Sequence, residues 1–397
     1  MCPPFVTAAI SQSNVINNQV QLGDVFATQT LDVQDAVPGG SSSLTTPATG
    51  NSFIGSAVGI TANVVSTQSL SGNVSGDNTV TAGGYAGDSI VLTATGSGNT
   101  AESNAADGAL ITGSSTQTVG AVNVTAANTY TGPTSSTGGM SVSGQAVANS
   151  QGFGADDSEI DHTVDQTSAA VTQADNEVTM QYTAGVVVSS ALATSNNVTA
   201  TGAGTSNMAL DITQSTTAGR TEATNFTYAG NAQDITAQST VTGNNISANN
   251  EGGTLDLTSD QTNATDVRAE AYLSSFQFGS GAVAAYGVGN SVMAGNFGFE
   301  VIVDNTQNNT GAVDVSATFV GDNGYDAYSS ATAIGNAVTG FACSDCSPGR
   351  MTVSNSQVNS AAIGATGSMS ITGSNRSSNT VTSATGNSAT FYVSRPQ

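Results

Sequence analysis

Apolar and polar residues alternate with a period of two in short stretches along this chain, and the stretches recur at a fixed interval. A glutamine marks each recurrence, at Gln19, Gln68, Gln117, Gln166, Gln214, Gln261, Gln307 and Gln357, in steps of 46 to 50 residues. Four positions before it stand Val15, Val64, Gly113, His162, Leu210, Leu257, Val303 and Val353. Six positions before it stand Ile111, Ile160, Met208, Leu255, Val301 and Met351 in six of the units. Alternation of this kind predicts a half-buried strand, and the glutamine falls in phase with its apolar side. A second apolar stretch follows, with Val74, Val267, Val313 and Ile363 six positions beyond the glutamine and Val122 and Val171 five beyond it.

A second marker keeps the same rhythm. Asn51, Asn99, Asn149, Asn196, Asn244, Asn290, Asn336 and Asn387 are spaced by 46 to 51 residues. Glycine precedes six of them, as Gly50, Gly98, Gly243, Gly289, Gly335 and Gly386, with Ala148 and Ser195 in the other two. Glycine and asparagine tolerate positive φ, so a sharp bend is expected there. Two markers in lockstep imply stacked units that bury their apolar faces on one another. The expected fold is all-β, a parallel β-solenoid (β-helix) of about eight ~48-residue repeats. Residues 1–397 then form a single continuous repeat domain, in which the glutamines and asparagines ladder along the axis. Each repeat is one large coil or two coils of about 24 residues; the second suits the usual length of stacked repeats better. A β-sandwich array is the rival, but its evenly spaced hairpin signals are missing.

Composition narrows the function classes. The 397 residues carry a formal net charge of −23, with only five basic residues, Arg220, Arg268, Arg350, Arg376 and Arg395. A nucleic-acid binder needs a basic surface, so that class is excluded. Charged residues are only 8% of the chain and β-branched residues abound, which argues against disorder. Abundant Thr, Ser, Asn, Gly and Val argue against helices. No stretch approaches the roughly 20 apolar residues of a membrane helix. The opening MCPPFVTAAI shows no secretory signal, so the numbering is expected to begin after, or without, a processed leader.

Few residues suggest chemistry. His162, the one histidine, stands in an otherwise apolar slot beside Asp161 and Asp165 and after Asp156, Asp157 and Glu159. A catalytic role is weighed against a surface loop or a core irregularity, and no serine or cysteine pairs with it by spacing. Cys343 and Cys346 form a CxxC pair within residues 337–356, where the corner-to-glutamine spacing grows to 21, an inserted loop. A disulfide pinning that loop is the preferred reading; a redox pair or half of a zinc site is the alternative. Cys2 is free, intermolecular or lipid-modified. The acids of 156–165 and the loop Asp322-Asn323-Gly324-Tyr325-Asp326 are solvated or bind calcium, but neither matches a known calcium-loop pattern. No other cofactor is expected. Asn-x-Ser/Thr triplets at Asn73, Asn123, Asn197 and Asn225 arise from composition. The aromatics from Tyr272 to Tyr328 fill wider coils or form a sugar-binding stripe.

The segment QVQLGDVFATQTLDVQ, the corners TGNSF, ATGNS and VANSQG, and the Gly/Thr/Asn-rich composition resemble the holdfast anchor protein D family (HfaD-type). The likeness is sharpest over Gln19–Gln34 and Ala146–Gly152. That resemblance implies a secreted protein of the bacterial surface, associated with the outer membrane, with no catalytic residues. Such a protein works with companion anchor proteins to attach an adhesive polysaccharide, the holdfast, to the envelope. Open strand edges at the ends of such a stack add an expectation of head-to-tail self-assembly, amyloid-like in its pairing. A filament or matrix subunit with no anchoring role is the alternative, and a polysaccharide-acting enzyme on a β-helix is a third class. The five scattered arginines argue against that third class, so no enzyme is expected.

Overall fold

The computed structural model describes residues 12–343 and 349–394, and for 133–137 the backbone alone. The fold is all-β with parallel sheets. Eight ten-residue strands carry the recurring glutamines: Gln12–Gln21, Thr61–Leu70, Leu110–Val119, Glu159–Ser168, Asn207–Thr216, Thr254–Asn263, Glu300–Asn309 and Arg350–Asn359. They lie side by side in chain order as one parallel sheet. Gln19 stands opposite Gln68, Gln68 opposite Gln117, and so on to Gln307 opposite Gln357. The chain therefore returns to its own edge after one whole repeat. Each repeat is one large coil, which corrects the preference for two coils of about 24 residues. The reason is strand length: the corner strand of most repeats runs 17 or 18 residues, as in Ser89–Ala106 and Met140–Asp156, leaving no room for a second coil.

Two further strands complete each rung. A shorter one follows the glutamine strand, as in Val74–Ala82 and Val171–Thr183, and the long corner strand follows that, as in Val186–Ala203. In three rungs the two run together as the 31-residue strands Arg220–Asn250, Asp266–Asn296 and Val313–Cys343. These long strands join the shorter-strand and corner-strand ladders into the second sheet.

The corner strand bends at its asparagine. Pairing steps from Thr194–Thr242 to Asn196–Asn244 in unchanged register, skipping Ser195 and Gly243. Inside and outside no longer alternate there, and Ala193, Thr194, Ser195 and Asn196 are all buried. The two halves of the strand thus face different walls. Before the bend, Val187, Ala191 and Ala193 pack with the shorter strand's Ala174, Val178 and Met180. Beyond it, Val198 and Ala200 pack with Ile160, Met208 and Ile212 of the glutamine strands. A third small cluster, including Leu70, Val74 and Ala148, fills the junction. Burying these apolar side chains is the main favourable term for such a narrow core.

The corner glycines serve a different purpose from the one their type suggests. None of them, and none of the corner asparagines, has positive φ; the positive-φ residues lie elsewhere, as at Asp107, Asp157 and Gly204. Their constraint is close approach between rungs. A Cβ on Gly98 would stand 2.4 Å from the Ala148 carbonyl oxygen, and one on Gly335 2.5 Å from that of Gly386. Gly289→Ala would place a methyl 2.5 Å from Asn309 Oδ1 and 2.6 Å from Gly335 O. It is expected to destabilise the chain by about 1–3 kcal/mol in denaturant unfolding. Gly23→Ala, whose Cβ meets nothing nearer than 4.0 Å, should shift the midpoint little.

Candidate functional site: the axial amide columns

The sixteen recurring amides form two hydrogen-bonded columns on facing walls. In the glutamine column each Nε2 donates to Oε1 of the preceding rung, as from Gln68 to Gln19 (2.9 Å), Gln166 to Gln117 (2.7 Å) and Gln357 to Gln307 (2.7 Å). In the corner column the direction reverses. Each Nδ2 donates to Oδ1 of the following rung, as from Asn51 to Asn99 (2.8 Å), Asn196 to Asn244 (2.8 Å) and Asn336 to Asn387 (2.7 Å). Glutamines 68 to 307 are at most 1% exposed, so each amide must satisfy itself inside.

The second proton of each amide ties the two walls together. Gln68 donates to the Thr100 carbonyl, next to Asn99, and Gln214 to that of Asn245, next to Asn244. In return Asn99 donates to the Thr118 carbonyl, next to Gln117, and Asn244 to that of Thr262, next to Gln261. Asn and Gln therefore each spend one donor along the axis and one across the core.

Two further columns escaped the sequence reading. Asn78 donates to Asn128 and Asn128 to Asn176, each at 2.9 Å, in the shorter strand. Asn263 donates to Asn309 (2.8 Å) and Asn309 to Asn359 (2.7 Å), two positions past the glutamine. In earlier rungs that last position holds Gln21, Leu70, Val119, Ser168 and Thr216, so its polarity rises from the second rung onward. The signal was present in the aligned repeats but held over only part of the length.

His162 lies inside, 1% exposed, in register with Gly113 on one side and Leu210 on the other. Its Nε2 is 2.9 Å from Ser115 Oγ, a partner that sequence spacing did not reveal, and its ring stacks at a tilt 5.1 Å from Phe153. Nδ1 is buried without a partner. Burial lowers the imidazole pKa to about 4, so the ring is neutral at pH 7. Ser115 is 2% exposed, and Asp161 and Asp165 point to the opposite face, so the pair is shut off from solvent and from the acids.

Those acids belong to an ordered outer face. Asp161, Asp165, Asp211, Asp256, Asp260 and Asp304 alternate with Thr, Ala and Ile so that no two stand directly opposite: Thr163 faces Asp211, and Thr258 faces Asp304. Neighbouring carboxylates are then roughly 8 Å or more apart at the backbone. The loop acids of 322–326 are engaged: Asp322 accepts from Thr372 (2.6 Å) and Asn323 (2.8 Å), and Asp326 pairs with Arg376. Among the described residues no group of three His, Cys, Asp or Glu side chains converges on one point.

Arg220 and Arg268 both reach Glu222, at 2.7 and 3.0 Å, and Arg350 lies 3.8 Å from Glu300. The four arginines of the described residues thus each have an acidic partner. Residues 337–342 pair with both neighbouring rungs and 350–356 belong to the last glutamine strand. Cys343 is half-buried at a strand end, while Cys346 and Cys2, and with them the disulfide reading, lie outside the described residues. The aromatics divide: Phe278 and Phe319 meet edge-on in the core at 5.1 Å, while Tyr228 and Tyr272, 5.3 Å apart, stack on the outer surface.

A family model, holdfast attachment protein D (HfaD), matches residues 38–312. The chain belongs to the HfaD family. The match takes in the corner Ala146–Gly152 and the glutamine strands from Gln68 to Gln307, while Gln19–Gln34 lies outside it. Membership implies a role in holdfast attachment and a cell-surface or extracellular location. No curated protein and no solved structure matches the chain.

Two outcomes follow from this geometry. Gln214→Leu would strand Gln166 Oε1 and the Asn245 carbonyl without their donor, and remove the acceptor of Gln261. It should cost about 3 kcal/mol or more by denaturant unfolding, whereas Gln19→Leu in the half-exposed first rung should cost about 1 kcal/mol or less. The depressed His162 pKa makes its contribution complete above pH 6.5 and progressively lost as pH falls toward about 4. His162→Leu, which copies the residue at Leu210, should flatten the acid-side decline of stability between those pH values relative to wild type.

Proposed function

We propose that this HfaD chain is a β-solenoid of eight rungs that anchors an adhesive polysaccharide to the bacterial envelope. In this reading it is an extracellular structural protein associated with the outer membrane, not an enzyme, and it works with companion anchor proteins. It needs no cofactor, and calcium on its outer acids is a minor variant of the same reading. The observation that carries the proposal is the pair of amide columns running through every rung of a chain of this family. A continuous internal ladder suits a long, rigid spacer between two attachment points, and the buried Ser115–His162 pair offers no solvent-open centre.

Self-assembly is the second part, and column direction supports it. At the first described rung Gln19 keeps one unpaired amide proton, having donated to the Ser52 carbonyl, and Asn51 Oδ1 receives no donor among the described residues. At the last, Gln357 Oε1 receives none, and Asn387 has one donor left after a 3.4 Å contact to the Gln357 carbonyl. First rung on last rung matches donor to acceptor in both columns, while first on first sets donor against donor in the glutamine column and acceptor against acceptor in the asparagine column. Head-to-tail stacking of copies is the arrangement that continues both columns. The same complementarity favours the second reading, a filament or matrix subunit without an anchoring role.

Immunogold electron microscopy of native cells separates the two. Label at the base of the adhesive material, at one cell pole, is the outcome expected of the anchor; label along extended fibres would replace it with the filament subunit. Sedimentation of purified chain at rising concentration should show growing oligomers, and a persistent monomer would remove the assembly part alone.

A further inference from the structure

We propose that a groove at the bend between the shorter strand and the corner strand is a subsite for an uncharged oligosaccharide segment. The groove encloses about 620 Å³. Its centre line is a register column: Tyr182 stands opposite Asn231, Asn231 opposite Gln277, and Gln277 opposite Asn323. The column spans three rung steps, roughly 14 Å, along the axis. The proposal rests on the anchoring reading and supplies the contact through which such a protein would hold its polysaccharide.

Three features set this column apart from the buried ones. First, its amides are not spent on one another. No hydrogen bond links Asn231, Gln277 and Asn323 to each other among the described residues, and Asn231 Oδ1 is buried with no partner at all. That oxygen is shielded, so the amide open to a ligand hydroxyl is that of Gln277, whose side chain is exposed. Second, no charged side chain lines the groove, on a chain whose formal net charge is −23. That selects against acidic glycans and basic peptides and for a neutral, hydroxyl-rich ligand. Third, aromatic surface is available at both ends, over a largely buried apolar floor. Tyr182 is 47% and Tyr325 65% exposed, and Phe278 forms the floor. Aromatic faces cover the apolar faces of pyranose rings while amides pair with ring hydroxyls, the mixture of apolar bed and few directed polar groups typical of ligand sites.

The backbone keeps the groove open. A Cβ on Gly324 would stand 2.2 Å from the Phe278 ring, so only glycine lets that ring form the floor. At the far end Arg376 holds Tyr325 in place: its guanidinium lies 5.9 Å from the Tyr325 ring centroid and is ion-paired to Asp326. The groove is open along the axis rather than closed, which admits a segment of a long chain and not only its tip. A pyranose polymer laid along it would run from Tyr182 past the exposed Gln277 amide to Asn323, whose own amide is held by Asp322 and Ser374.

Calorimetric titration of the full chain with cellohexaose and N-acetylchitohexaose as neutral probes, and trigalacturonate as the charged comparator, tests this. At least one neutral hexasaccharide should bind, with trigalacturonate at least tenfold weaker. Gln277→Ala and Tyr182→Ala, both at exposed side chains, should each weaken that binding tenfold or more while leaving the unfolding midpoint in place. No binding of either neutral probe at millimolar concentration, equal binding by the variants, or preference for trigalacturonate would each overturn the subsite. Immunogold position of Gln277→Ala on cells keeps the two proposals apart: polar label with lost or unchanged sugar binding speaks only to the groove, and misplaced wild-type label only to the anchor.

Discussion

Every rung of this protein depends on the hydrogen bond between like amides one repeat apart. A parallel ladder of backbone bonds alone would allow neighbouring rungs to slip, since a shift of two residues restores the same inside and outside. A buried glutamine cannot follow such a slip without abandoning its partner in the next rung and a carbonyl on the opposite wall. Register is thus fixed by polar groups in the core, while apolar burial supplies most of the driving force. The bonds across the core add a second constraint. Because glutamine and asparagine each reach the backbone beside the other, the two walls cannot drift apart independently.

The bend follows from this arrangement. An asparagine whose amide must point both along the axis and across to the glutamine wall needs its backbone close to the next rung's, and the preceding residue is small for that reason. The outer face answers to a different demand. A chain this acidic, stacked at about 4.8 Å per rung, would set like charges directly against one another if acids recurred at the same position. The staggering of Asp211 and Asp304 against Asp161, Asp165, Asp256 and Asp260 avoids it.

What could be read from the sequence was whatever repeated in every unit. The glutamines and corner asparagines recur eight times, the corner glycines and the alternating apolar positions six times each, and they carry the all-β parallel character and the family resemblance. What recurred in only three or four units was hidden, such as the Asn78–Asn128–Asn176 column and the graded position from Leu70 to Asn359. The size of the coil was misjudged because the corner strand bends in its middle and reads as two short strands. Residue type misled at the corner glycines, where close approach and not positive φ is the requirement. The Ser115–His162 contact joins residues 47 positions apart with no shared motif, and only the stacking brings them together.

The length of one rung also sets how the chain would yield to load. Strands lie across the axis, so a pull on one end peels rungs singly, each guarded by its own amide contacts. A rung of 46 to 51 residues, once freed, extends to roughly 160 Å. The folded rung contributes only about 5 Å to the axis, so each release lengthens the chain some thirtyfold over that rung. Such a chain is a stack of similar shock absorbers in series, giving way in discrete, long steps while the rungs still folded keep their register.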